Sequence, residues 1–397
     1  MPMSGVERRE AAGAALAFAA VVLLSFADGG FFPNAWRAGA IALACVGGLA
    51  VLAWEPRRPT RGQALVVGGL AAFAVWAALS AIWSIDPDAS LLDAQRTLLY
   101  VAAAAAALLV RGALLAGTLA GVVVVCVYSL VERLVHGEPQ PPDPTQGTLL
   151  HEPLGYANGL GGLAALGIAL AVGLLGRQLV LLAAVVVPLV ITLVLTGSRA
   201  AMIAALVGAT VAAGFGWGSP RAARVVVAVA AAGLALALVL PAGSLADDLA
   251  PHAGPRAWYW HVAWGEAAES PVVGRGAGTF ALSWAAEQPV PESARDAHSL
   301  YLETLAELGL VGLALLALAL APPLVAALRR PVVPAAAGAY VAFCLHAGLD
   351  WDWELPAVTV TGLLCGCALL VADGRKKSAP APSTQGTATF DDGIQRS

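Results

Sequence analysis

The chain is punctuated into apolar runs of roughly 20 residues, the length a helix needs to cross the hydrocarbon core of a bilayer, separated by short polar breaks. The runs fall near 11–28, 35–54, 62–83, 91–110, 112–135, 156–176, 178–196, 198–217, 222–242, 299–328, 332–350 and 356–372. With 59% hydrophobic residues, 12% charged residues and a mean hydropathy of +0.78, no water-soluble fold could cover this much apolar surface, and lipid is the solvent. The spacing predicts an all-α polytopic membrane protein of about twelve transmembrane helices. The breaks at Arg111-Gly112 and Arg177-Gln178 are tight enough that the runs flanking each form a helical hairpin. The first run follows Glu7-Arg8-Arg9-Glu10 and lacks a small-residue cleavage site, so it reads as an anchor and not as a cleaved signal.

Orientation follows from the basic residues. A cytoplasmic N terminus puts Arg8, Arg9, Arg57, Arg58, Arg61, Arg111, Arg177, Arg221, Arg224, Arg329, Arg330, Arg375, Lys376, Lys377 and Arg396 inside, 15 of the 22 Lys and Arg residues. Only Arg37, Arg96, Arg133, Arg199, Arg256, Arg275 and Arg295 fall outside. This positive-inside bias places both termini in the cytoplasm. All six histidines (His136, His151, His252, His261, His298 and His346) then lie on or near the outer face. The segment 374–397 reads as a disordered cytoplasmic tail. A net charge of -4 and no basic run longer than Arg375-Lys376-Lys377 exclude a general nucleic-acid partner. Cys45, Cys126, Cys344, Cys365 and Cys367 all sit in apolar runs and read as small core residues.

Three outer segments interrupt the apolar pattern. Residues 136–155 form a proline-rich acidic loop. Residues 243–298, between the ninth and tenth runs, hold Trp258, Tyr259, Trp260, Trp264 and Trp284 with three arginines, and read as short amphipathic helices lying on the membrane. Asp350-Trp351-Asp352-Trp353-Glu354 is an acidic, aromatic cap between the last two runs.

Candidate chemistry gathers in these segments. Thr196-Gly197-Ser198-Arg199-Ala200-Ala201 opens the eighth run from outside, with Ser198 placed to cap the helix. Free N–H groups and the positive helix end beside the Arg199 guanidinium make an anion site, and phosphate suits it because arginine grips two oxygens at once. An arginine snorkelling to lipid headgroups leaves the same trace. Pro255-Arg256-Ala257-Trp258-Tyr259-Trp260 sets a second guanidinium among aromatics, a pattern for diphosphate neutralisation with sugar stacking and equally for an interfacial aromatic belt. Asp296-Ala297-His298-Ser299-Leu300-Tyr301-Leu302-Glu303 opens the tenth run and places His298 at or before a helix N terminus, able to accept a proton. Asp296 or Glu303 is near enough in sequence to fix its tautomer. Glu307, Gly309 and Gly312 follow on the same helix, the glycines allowing close helix contact. Gly274-Arg275-Gly276-Ala277-Gly278-Thr279-Phe280 has glycine spacing reminiscent of a nucleotide loop, but no strand precedes it and it lies outside the cell, which excludes that use.

In order and on one side of the membrane, these stretches resemble the O-antigen ligase and polymerase superfamily. The marks are the Ser198-Arg199 helix start, the Arg256 to Trp260 segment followed by Pro271 and the 274–280 glycine run, and the His298-Ser299-Leu300-Tyr301-Leu302 start. Glu307-Leu308-Gly309-Leu310-Val311-Gly312 and the Gly155-Tyr156-Ala157-Asn158 opening of the sixth run also fit. They span about residues 150–315, the core of a transmembrane domain taken as 1–373. Ser299 stands where asparagine is common in the family, and Ala200 where glycine is frequent.

The resemblance implies a metal-independent enzyme of the bacterial inner membrane, working in cell-envelope polysaccharide biosynthesis with no cofactor. Its donor would be a glycan on undecaprenyl diphosphate and its acceptor a hydroxyl of a glycan, lipid or protein. Arg199 and Arg256 would bind the diphosphate and His298 would take the acceptor proton. Tyr301, Glu303, Asp296, Ser198, Trp258 and Trp260 would bind substrate around them. A repeat-unit polymerase of the same superfamily would use the same chemistry. A non-catalytic transporter of lipid-linked sugars should instead carry polar groups near mid-bilayer, whereas here charges collect at the outer rim.

Overall fold

The computed structural model describes residues 3–239, 255–288, 293–329 and 331–378. These residues are helical, with no strand among them beyond one isolated bridge between Asp143 and Gly147. In chain order the helices are α1 (Gly5–Ser25), α2 (Pro33–Ala53), α3 (Arg61–Ser80), α4 (Pro87–Val110), α5 (Leu114–His136), α6 (Ala157–Leu175) and α7 (Leu179–Leu195). There follow α8 (Arg199–Trp217), α9 (Pro220–Val239), the shorter α10 (Pro255–Glu269) and α11 (Phe280–Glu287), then α12 (Leu300–Leu328), α13 (Pro334–Ala347) and α14 (Pro356–Ser378). Among the described residues, eight helices are long and apolar enough to cross a membrane, namely α2 to α6, α8, α12 and α14, while α7 and α13 are shorter apolar helices. The chain is a multi-pass membrane protein. Helices α1 and α9 occupy the expected first and ninth spans. Residues 240–254, including His252 and the start of the expected outer loop, lie outside the described residues, as do 289–292 and the tail from 379.

Three of the early helices start at side-chain caps and not at the first apolar residue. Ser4 and Glu7 form a capping box, so Glu7 to Glu10 belong to α1 instead of preceding it. Thr60 and Gln63 do the same for α3. Asp86 accepts the Ala89 N–H at 3.0 Å with Pro87 at the first helical position, which starts α4 about a turn before the expected 91. Asp93 and Arg96, three apart, share one face of this helix. At the other end, α14 runs to Ser378, so 374–378 continue the helix instead of beginning a disordered tail; each residue added to an existing helix gains a hydrogen bond without new nucleation.

Helix α6 is glycine- and alanine-rich and buried on all sides, packing between α8 and α13. The α8 and α13 backbones meet at Gly208 and Gly338, where a Cβ added to Gly208 would lie 2.8 Å from the Gly338 carbonyl oxygen. Helix α14 is also largely enclosed, against α4, α12 and α13 among others. Cys126, Cys365 and Cys367 are buried as expected and Cys344 is half-buried, but Cys45 is exposed. The reason is that α2 buries only a narrow stripe of Trp36, Leu43, Gly47 and Ala50.

One end of the bundle carries the candidate site. There α10 and α11 fold over the start of α12 around a second apolar core of Tyr259, Trp260, Val262, Phe280, Trp284 and Leu302. The expected surface aromatics are therefore largely packing residues. Beneath them α12 is broken at Gly309, whose φ of 66° and ψ of -167° suit only glycine. The segment after α10 fills the break: Leu310 N–H donates to the Pro271 carbonyl (2.9 Å), Val311 N–H to that of Val272 (3.2 Å), and Gly276 N–H to that of Glu307 (2.8 Å). The indole N–H of Trp76 donates to the Leu308 carbonyl at 3.1 Å. Backbone freed by the break is thus satisfied by protein. Gly309 serves this insertion and not the helix–helix contact the sequence suggested.

Candidate functional site

The site is organised by Asp350, a fully buried carboxylate in the turn after α13. Arg256, near the start of α10, donates from Nη2 to its Oδ2 at 2.7 Å. The Tyr156 hydroxyl, at the start of α6, donates to Oδ1 at 2.8 Å, and the Trp351 N–H donates to the same oxygen at 2.9 Å. Asn158 Nδ2 in turn donates to the Tyr156 oxygen at 2.8 Å. Burial pushes the Asp350 carboxyl up, but Arg256, His298 and His346 together outweigh it and hold it below its ordinary value. Burial first, then Asp350, pushes the Tyr156 phenol well above its usual range, which keeps it a donor. The Arg256 side chain is 32% exposed, and its other N–H groups make no hydrogen bond among the described residues. It is anchored on one edge and open on the other.

His298 stands beside this pair. Its ring lies 5.1 Å from Tyr259 and 6.3 Å from Trp351, and Trp351 packs on Tyr156 at 4.5 Å. Nδ1 is 3.0 Å from the Asp296 carbonyl, which can only accept, so Nδ1 carries the proton and Nε2 keeps the lone pair. The backbone fixes the tautomer, where the sequence had suggested an acidic side chain. His298 has φ of 54°, a left-handed conformation that costs a non-glycine residue roughly 1 to 2 kcal/mol. Strain of this kind is kept where surrounding structure over-determines it. Behind the cap, His346 Nδ1 pairs with Asp352 at 2.7 Å, both fully buried; burial outweighs the attraction of His346 and leaves the Asp352 carboxyl above its ordinary value.

Arg199 is the first residue of α8 and is exposed. Ser198 caps the helix as expected, its hydroxyl accepting the Ala201 N–H at 3.3 Å, and is itself 3% exposed. No hydrogen bond or ion pair among the described residues joins Arg199 to Arg256 or His298. What they share is α6: a Cβ added to Gly161 would meet Ser198, while the α6 start carries Tyr156 and Asn158 to Asp350.

The remaining residues singled out in the sequence separate. Trp260 is buried in the small core beneath α10, and Trp258 is half-buried against it. The Tyr301 hydroxyl donates to the Cys344 carbonyl at 2.6 Å. Asp296 and Glu303 line a cavity of about 200 Å³ together with Arg96, Glu307 and Glu354. Glu307 accepts the N–H groups of Gly278 (2.7 Å) and Phe280 (2.9 Å), so the glycine run near 274–280 wraps a carboxylate of its own chain.

Residues 183–317, from α7 into α12, match the family model described as O-antigen ligase. This segment is an O-antigen ligase domain. No curated protein matches the chain. The ligase domain contains Arg199, Arg256 and His298, and family members carry out ligase- or polymerase-type glycosyl transfer on lipid-linked glycans. Asp350, Tyr156 and Arg96 lie outside the matched segment and hold the domain's functional end in place from α6, α4 and the cap. Sequence reasoning noticed the cap as acidic and aromatic without assigning Asp350 a partner. Arg96 appeared only as an exception to the charge bias, yet it joins Asp93 and Glu354 in a buried ion-pair network, at 2.9 Å from Glu354.

Proposed function

We propose that the protein transfers a glycan from undecaprenyl diphosphate to an acceptor hydroxyl at the extracytoplasmic face of the bacterial inner membrane. Residues 1–373 act as one transmembrane unit of twelve passes with both termini cytoplasmic, a reading supported by the even number of apolar runs and by the 15 basic residues on the inner side. The observation that carries the functional reading is the convergence of Arg256 and His298 on Asp350 and Trp351 within and beside an O-antigen ligase domain.

The acceptor oxygen attacks the anomeric carbon as its proton passes to His298 Nε2. The bond from the anomeric carbon to the diphosphate oxygen breaks, and its electron pair leaves with the lipid diphosphate. Negative charge grows on that leaving group, where the open edge of Arg256 and the exposed Arg199 guanidinium at a helix N terminus stabilise it. Two guanidiniums supply the countercharge, so the bond cleavage needs no metal. One displacement inverts the anomeric configuration.

The test incubates purified protein with an undecaprenyl-diphosphate glycan and separate acceptors and follows release of the lipid diphosphate. Release with the glycan on a second acceptor establishes a ligase. Release with elongation on lipid establishes a polymerase. Movement of the donor across a vesicle membrane with its bond intact refutes transfer and leaves a transporter.

A further inference from the structure

The cavity of about 200 Å³ beside the site is lined by carboxylates that the mechanism does not use. Asp296, Glu303 and Glu354 each offer an oxygen, and these oxygens all lie within 4.8 Å of one another. Asp93 and Glu307 line the same space, and the facing cations are Arg96 and Arg295. Five carboxylates face only two guanidiniums there, an excess of acidic groups that a bound cation or protons must neutralise. Hydrogen bonding inside the protein does not exhaust the oxygens. Glu303 uses one to accept the Ala297 N–H (2.7 Å), and Glu354 uses one on Arg96 (2.9 Å). The Asp296 carboxylate, on a residue only 7% exposed, accepts no hydrogen bond from any described residue, although it faces this cavity.

We infer that the cavity binds a divalent metal ion through Asp296, Glu303 and Glu354. All three ligands are hard carboxylate oxygens with no cysteine or histidine among them, which selects calcium or magnesium over zinc. The volume leaves room for several waters, each needing about 30 Å³, to complete the coordination. The ligands come from three segments: the turn before α12, the first turn of α12, and the cap between α13 and α14. An ion there ties the turn that carries His298 to the cap that carries Asp350. It acts on position and does not touch the donor, and its effect on transfer rests on the function proposed above, whereas its binding does not.

The experiment uses the full chain purified in detergent and stripped with a chelator, with no donor present. Calcium and magnesium are titrated in separately, followed by calorimetry and by thermal unfolding, and terbium serves as a luminescent stand-in for calcium, excited through the protein's tryptophans. The expected result is one saturable ion per chain, a rise of several degrees in unfolding temperature by mass action, and terbium emission that calcium displaces. Asp296→Asn and Glu303→Gln should each weaken binding at least ~tenfold. Asp296→Asn removes a charge without removing a hydrogen bond, so it should fold at least as well as the stripped wild type. Absence of saturable binding to the wild type overturns the inference, as does binding that both variants leave unchanged. So does stripped protein that is stabilised by acid but not by either metal, since protons would then be the counter-ions. Binding without any transfer activity would uphold the ion and refute only the proposed function.

Discussion

Asp350→Asn is the sharpest structural perturbation available. The amide keeps an oxygen to accept from the Tyr156 hydroxyl and the Trp351 N–H, so what is lost is the charge and the acceptor facing Arg256 at 2.7 Å. Breaking a fully buried pair from one side costs about 3 to 5 kcal/mol and an exposed pair contributes about 0 to 1. Asp350 is fully buried and the Arg256 side chain is 32% exposed, which places the loss near 2 kcal/mol, the scale of a charge-assisted hydrogen bond. In a chain of this size that lowers the unfolding temperature by roughly 2 to 3 °C, readable by thermal denaturation in detergent. Freed of its anchor, the guanidinium no longer aims at one place, and a misplacement of about 1 Å typically costs about 100-fold in rate. Transfer measured with a lipid-linked donor should fall by that order while the protein remains folded. If Asp350→Asn keeps wild-type transfer and unfolding temperature, Asp350 does not organise Arg256 and the description of the site is wrong.

Arg199→Ala and Arg256→Ala should each reduce transfer by about 100-fold or more, but only Arg256→Ala should alter thermal stability, because Arg199 is exposed and unpaired among the described residues; a stability loss in Arg199→Ala would refute that distinction. Gly309→Ala should destabilise by about 1 to 3 kcal/mol, since alanine resists φ of 66° and its Cβ would collide with the Val272 backbone; an unchanged unfolding temperature would contradict the broken helix. Stability against pH should show two opposite signatures. Asp350 is held below its ordinary 3.8, so its contribution is complete above that pH and is lost as pH falls through the depressed value, whereas Asp352 is raised, so its contribution declines as pH climbs above 3.8. Unfolding temperatures of Asp350→Asn and Asp352→Asn across pH should lose the acid-side and neutral-side slopes respectively, and identical profiles would contradict this.

Helix positions were largely legible because apolar runs of bilayer length leave the chain few alternatives. Their starts were not, since a cap such as Ser4 or Asp86 recruits polar residues that hydropathy assigns to the loop. The network of Arg96 with Asp93 and Glu354 was hidden for another reason, since Glu354 lies far along the chain from α4. Arg256 and His298 could be found from local motifs, but Asp350 sits far along the chain from Arg256, and no local pattern records such a pairing. Trp260 misled for the opposite reason: an aromatic segment on a membrane surface has the same composition whether it faces lipid, sugar or its own small core. Gly309 belongs to a continuous apolar run, and periodicity carries no information about a ψ of -167°.

The central claim is that His298 deprotonates the acceptor while Arg256 and Arg199 hold the departing diphosphate. Its most direct test is a single-turnover reaction with a lipid-linked glycan of known anomeric configuration, comparing wild type with His298→Ala. The account predicts an inverted product from the wild type, and from the variant a donor that still binds but is not cleaved. A retained configuration, or cleavage by His298→Ala at the wild-type rate, would contradict it.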